Sequence, residues 1–470
     1  MLLKTVNIRE PFVLFILSVW MMVDLWTRPL RFTDEVIPDT LNRLLLIILP
    51  LLFLLFYLSR RPLYFPNRTR SIYLVETLLG YLTVHTLFFL KRADSDAGLA
   101  LFLLASSIGL ILMLATLSLS EFERWHRFFA HALLLQAFLL SIYGLAVHQS
   151  SYYVPIDNLQ ILTLGPLVLK QLYIGELDYF VRIASLTNNP NTLAAWLTPG
   201  GSFAFIQFHH YLSKRSYGVA LLYGGVFTVI AFAMLLTYSQ TGIYSLGILL
   251  LLASVLLIRN GRVRKTVAML YGTGLALVVA SLLIRDPGLI VRVLDLNGRG
   301  SLWQAGLEGA GDMLLFGHGI GSSEAALDRI GPNIGQLYTF HSSWIVWLYE
   351  LGLVGLLLYT ATFALVIWKS YRLYKLSPDR YTVFLLIIAT WLVLLQFSES
   401  VLARPGGFLS IWLSLIVFAT LPIRRKTSTV RKHPTHHEEI RRHERGYYPE
   451  ERASKKNHRK PGAHEEIISH

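Results

Sequence analysis

Apolar runs of about twenty residues, separated by short polar clusters, occupy most of the chain. They fall near 11–27, 41–59, 71–90, 97–118, 128–147, 192–211, 217–237, 241–258, 266–284, 343–368, 382–398 and 406–422. At a rise of about 1.5 Å per residue, each such run as a helix crosses a hydrocarbon layer about 30 Å thick. The pattern predicts an all-α polytopic membrane protein of about 12 transmembrane helices. The run at 11–27 follows Lys4 and Arg9 as a signal peptide would, but no small-x-small cleavage site follows it. It is read as a retained anchor.

The polar linkers orient the spans. Arg60, Arg61, Arg68 and Arg70 form one basic cluster, Arg124 and Arg127 a second, and Lys214 and Arg215 a third. Arg259, Arg262, Arg264 and Lys265 form a fourth, and Lys369, Arg372, Lys375 and Arg380 a fifth. All five fall on one side of the membrane, which the positive-inside bias makes the cytoplasm. The multi-pass chain is therefore expected in the bacterial cytoplasmic (inner) membrane with both termini cytoplasmic.

The opposite side receives two segments too long to be plain connectors. The expected organisation is N-terminal membrane helices over 1–147, an external loop at 148–191 and membrane helices over 192–284. A large external loop follows at 285–342, then C-terminal membrane helices over 343–422 and a basic tail from 423 to 470. Both loops contain Pro, Gly and aromatic residues and are expected to fold. The tail mixes Arg, Lys, Glu and His with few apolar residues, and is expected to be disordered and drawn to anionic lipid.

Composition sharpens this picture. Only 15% of the 470 residues are charged and 54% are hydrophobic, whereas soluble proteins carry about 25% charged residues. The net charge of +14 follows from cytoplasmic loops and tail, so no nucleic-acid partner is implied. The chain has no cysteine, which excludes disulfides, zinc-thiolate sites, thiol catalysis and iron–sulfur clusters.

Candidate chemistry concentrates in the second external loop. Gly298-Arg-Gly-Ser-Leu-Trp303 is followed by Leu315-Phe-Gly-His-Gly-Ile-Gly-Ser322 and then His341-Ser-Ser-Trp344 at the start of a long span. Arg299 and His341 thus flank a glycine-rich turn. Gly317, Gly319 and Gly321 permit backbone conformations closed to other residues and close approach of a ligand. Upstream, Arg182 precedes Asn188-Asn-Pro-Asn191.

The order Arg299, Trp303, Gly319, Gly321, His341, Glu350, Gly352, Gly355 resembles the O-antigen ligase and O-antigen polymerase superfamily of membrane glycosyltransferases. Arg182 and the asparagines after it resemble a second family segment. The resemblance implies transfer of a glycan from undecaprenyl pyrophosphate to a glycan or glycolipid acceptor hydroxyl on the external face. It implies that Arg299 and Arg182 hold the pyrophosphate, with Asn191, Gly319 and Gly321 also at the substrate, and that His341 takes the hydroxyl proton. Neither a metal nor another cofactor is called for. One departure stands out: the family commonly has Ser-Arg where this chain reads Ser239-Gln240.

Plainer readings compete. Arg299 and Arg182 also suit interfacial arginines that snorkel to headgroups. His341 suits a helix-start hydrogen bond, and the asparagines suit turn and cap positions. Glu350 lies nine residues after His341, about 13 Å deeper on the opposite face of a straight helix, and is read as a packing or hydrogen-bonding group. Gly352 and Gly355 are read as close-packing positions. Asp24, Glu76, His85, His131 and Gln136 lie within spans and equally describe a proton relay. That keeps a transporter, such as a flippase of lipid-linked glycans, as the alternative, with a non-catalytic scaffold behind it.

Overall fold

The computed structural model describes residues 70–89, 119–149, 152–154, 159–164, 167–176, 180–187, 189–258, 260–285, 299–330 and 340–397. The chain divides into two units, Met1–Pro422 and Ile423–His470; every described residue lies in the first. The expected spans at 11–27, 41–59, 97–118 and 406–422, and the tail, lie outside the described residues.

The helices are α1 (Arg70–Phe89), α2 (Leu119–Gln149), α3 (Pro190–Ser213), α4 (Tyr217–Leu236), α5 (Gln240–Leu257) and α6 (Gly261–Arg285). They continue with α7 (Arg299–Ala310), α8 (Ser322–Ile330), α9 (Ser343–Leu376) and α10 (Arg380–Gln396). Eight of the expected spans coincide with these helices. Among the described residues, four stretches are long and apolar enough to cross a membrane: Ala130–Gln149, Tyr217–Leu236, Gln240–Leu257 and Ser343–Leu376. The chain is an integral membrane protein.

α3 is the hub, and its sequence shows why. Pro190 opens it, its fixed φ and missing N–H suiting a first turn, and the Asn189 side chain caps the amides of Asn191 and Thr192. Small residues then let three neighbours approach closely. A Cβ on Gly200 would stand 2.3 Å from that of Ala137 on α2, and Gly201 faces Ile230 of α4. Gly242 of α5 is equally tight against Ala194, at 2.4 Å. Small residues at such crossings are how membrane helices gain packing when water supplies no driving force between them.

The first external loop departs from the all-α expectation. It holds a four-stranded antiparallel meander, β1 (Tyr152–Val154), β2 (Leu159–Leu164), β3 (Leu167–Glu176) and β4 (Phe180–Ile183), in the order β1-β2-β3-β4. The Val-, Ile- and Tyr-bearing run Leu167-Val-Leu-Lys-Gln-Leu-Tyr-Ile suits a pleated surface but is too short to stand out as a twenty-residue apolar run. Gln171 ties the sheet to the end of α2: its amide donates to Gly144 O at 3.2 Å and its carbonyl accepts from Ser185 N at 3.0 Å. A single 3₁₀ turn, Ser185–Thr187, then leads into α3.

Candidate functional site

Two polar clusters form where helices end. The first is built on β4. Ile174 and Arg182 are cross-strand partners, and the Arg182 guanidinium reaches from the strand to the α4–α5 turn. Its Nε donates to Thr237 O at 2.8 Å and one terminal nitrogen donates to Asn191 Oδ1 at 2.9 Å. The expected pair Arg182 and Asn191 therefore meets, and Thr237 is the partner that sequence alone did not suggest. Ser239 caps α5 by accepting from Gly242 N, which leaves Gln240 exposed as the first helical residue.

A partly open crevice beside this cluster is lined by Asn191, Thr198, Ser239, Thr241, Gly242 and Trp391, among others. With its mouth it encloses about 200 Å³. That figure includes open solvent; the space within is about 10 Å³, about room for a single water.

The second cluster is built on α7 and the start of α9. Arg299 and Trp303 are four residues apart, so they share a face of α7. Trp303 Nε1 donates to Phe340 O at 3.0 Å, and Phe340 is fully buried. This bond holds the Arg299 end of α7 beside His341. Burial, and secondly the Arg299 guanidinium, pull the His341 imidazole from its usual 6.5 down to about 4. His341 also has φ +50°, in the left-handed region that only surrounding structure makes a non-glycine residue adopt. Ser185 and Tyr238, flanking the Arg182 cluster in the chain, have positive φ too. Ser342 Oγ donates to Gln396 O at the end of α10, and Leu395 lines the crevice. The two clusters thus flank the last turn of α10.

The glycine turn does something other than wait for a ligand. α9 is broken at Gly352, where φ is +68° and ψ −172°, so backbone groups on either side lose their helical partners. The 313–323 segment supplies new ones. His318 N donates to Tyr349 O and Gly319 N to Glu350 O, while Leu353 N and Val354 N donate to Leu314 O and Leu315 O. From the other side Tyr81 Oη donates to Leu351 O. The approach is backbone to backbone: a Cβ on Gly317 would stand 2.5 Å from the Glu350 carbonyl, and one on Gly352 2.4 Å from that of Leu315.

Glu350 closes the clasp. Its carboxyl accepts from Ser323 Oγ at 2.5 Å and Ser323 N at 3.4 Å, and from Gly321 N. The concavity formed by the glycine-rich turn is an anion nest in type, and here the chain's own carboxyl fills it. The amides of Gly319 and Gly321 therefore serve the fold. Glu350 is a hydrogen-bonding group, as expected. Gly355 packs closely against Tyr81, also as expected, but Gly352 is a helix break rather than a packing position.

Helices fit to cross a bilayer, with guanidinium and imidazole groups gathered where they end, define an integral membrane protein carrying a polar site at one end of its bundle. Over residues 225–360 the chain matches the O-antigen ligase family model. That stretch holds Arg299, Trp303, the glycine turn, His341, Glu350, Gly352 and Gly355, while Arg182 and Asn191 precede it. The match spans 136 of the 470 residues; it supports a relation to the O-antigen ligase and polymerase superfamily and, at the level of the family, ligase-like glycan transfer. No curated protein matches the chain.

Proposed function

We propose that the protein transfers a glycan from undecaprenyl pyrophosphate to an acceptor hydroxyl on the external membrane face, as a ligase or a polysaccharide polymerase. The observation that carries this reading is the pairing of Arg299 with His341 at the start of α9. At neutral pH an imidazole that titrates near 4 is unprotonated and able to accept a proton. Arg299 holds phosphate oxygens of the donor, a planar fork matched to them.

In the reaction the acceptor O–H proton passes to the His341 ring as the hydroxyl oxygen bonds the anomeric carbon. The anomeric carbon–phosphate oxygen bond breaks, and its electron pair leaves with undecaprenyl pyrophosphate, whose growing charge Arg299 stabilises. The incoming pyrophosphate also offsets the field of Arg299, which raises the basicity of His341 when the acceptor is in place. Because pyrophosphate is a good leaving group with a cation already beside it, the reaction proceeds without a metal. Arg182, oriented by Thr237 O and Asn191, takes the part of the family's arginine at the Ser239-Gln240 turn. Gly319, Gly321 and Glu350 hold the loop rather than the substrate.

A broken membrane helix also suits a transporter, where freed backbone groups bind substrate. At Gly352 those groups are engaged by the glycine turn, which favours the enzyme. The test is deletion in the native host, with His341→Ala complementation and mass spectrometry of lipid-linked glycans. Accumulated single repeats identify a polymerase, and accumulated long lipid-linked chains a ligase. An unchanged lipid-linked pool overturns the reading in favour of transport.

A further inference from the structure

We infer that the Leu314–Leu315–Phe316 tip of the second loop sits within the membrane, its side chains against lipid acyl chains on the His341 side of the bilayer. The proposal rests on α9 crossing the bilayer and not on the transfer reaction.

Four successive contacts show the loop descending along α9. Trp303 meets Phe340, and Gly306 lies against Ile345 and Gly309 against Tyr349. Leu314 and Leu315 then accept from Leu353 and Val354. Ser343 to Leu351, ahead of the break at Gly352, is eight residues, about 12 Å along the helix, so the tip lies well below the level of His341. α1 also places the tip inside its helix end, at a shallower level of about 6 Å. His85 Nε2 donates to Phe316 O at 2.7 Å, and His85 lies one turn inside the end of α1 at Phe89.

The tip also meets the chemical conditions for non-helical backbone in a bilayer. Such backbone persists there only when its polar groups are satisfied by protein. Met313 O accepts from Gly317 N, and the next three carbonyls accept from Leu353, Val354 and His85. The carbonyls face inward and are paired while the side chains face outward and are apolar: Leu314, Leu315 and Phe316 are each about half exposed (48%, 56% and 54%). No Asp, Glu, Lys or Arg occurs from Met313 to Ser323, and Asp312 and Glu324 bound the stretch. On α1 the exposed Val84, Leu87 and Phe88 flank His85 and continue the same apolar surface. An aqueous loop has no need of this arrangement. Seated so, α7 and the tip hold Arg299 and His341 near the lipid headgroups, the level at which a lipid-borne phosphate is presented.

The absence of cysteine makes the test direct. Leu315→Cys and Phe316→Cys, each in the full chain reconstituted in phosphatidylglycerol/phosphatidylethanolamine vesicles, are compared with Gln304→Cys on the exposed face of α7. A charged maleimide should react at least tenfold more slowly at 315 and 316 than at 304, and a bimane placed there should be quenched by acyl-chain nitroxide lipids. Fast maleimide reaction without lipid quenching overturns the proposal. Resistance to both reagents also overturns it, since the tip is then covered by protein. The unmodified chain supplies a second measurement should a variant fail to fold. A lipid with a diazirine on its acyl chain should crosslink to the peptide containing Leu314–Phe316 as it does to Leu221 and Leu222 of α4, which are exposed. Adducts at α4 without adducts at the tip overturn the proposal.

Discussion

His341 carries a depressed imidazole pKa beside a guanidinium, and the direction of each effect fixes what substitutions do. Burial is the larger cause and Arg299 the second, so removing the guanidinium gives back only part of the shift. The acid limb of kcat/KM, which reports the free enzyme, should lie near pH 4, with activity lost as pH falls through that value and the ring protonates. In Arg299→Gln the limb should rise, stopping short of 6.5, while Arg299→Lys should leave it nearly in place. Both variants should transfer at least tenfold more slowly, because Lys keeps the charge but loses the two-pronged grip on phosphate. A pH–rate profile of the three proteins checks this; a limb unmoved in Arg299→Gln removes Arg299 from beside the base. Arg182→Gln should raise KM for the lipid-linked donor, with initial-rate kinetics as the measurement.

The broken helix α9 and the glycine turn form one element, held by reciprocal backbone hydrogen bonds with the Glu350 carboxyl as the pin. Gly352→Ala meets two obstacles, a positive φ of +68° and a Cβ 2.4 Å from the Leu315 carbonyl. Strain of about 1–3 kcal/mol and overpacking of a similar size should lower thermal unfolding in detergent by many degrees. Ser323→Ala removes the shortest donor to a fully buried carboxyl, and should cost about 1–3 kcal/mol while leaving the apolar packing intact. Unfolding followed by tryptophan fluorescence measures both, and Ser323→Ala at wild-type stability would separate Glu350 from the clasp. The residues of this element were legible as a Gly-x-Gly motif and a Glu-x-Gly motif. Their mutual contact was not, because 27 residues of chain separate Ser323 from Glu350 and no local pattern encodes which carbonyl a glycine amide will find.

For the whole molecule, apolar periodicity located eight helices that the structure also forms. It failed at 148–191, where short strands give no twenty-residue signal. The depth of a segment is set by what its backbone pairs with. Expression of a chain truncated after Pro422 tests the tail: membrane insertion and transfer should persist, with weaker retention on anionic vesicles, as a solvated basic segment requires.

By itself the sequence determined that this chain lives in a bilayer, roughly where its helices run, and that arginine, histidine and glycine gather around one long loop. These follow from hydropathy and composition, which are local sums. Only the tertiary structure decided that Arg182 bonds Asn191 and Thr237, that Trp303 brings Arg299 beside His341, and that Glu350 fills the glycine nest. Each of those is a pairing between distant polar groups. In a medium that offers no water, a buried donor or acceptor depends on whatever partner the packing brings to it.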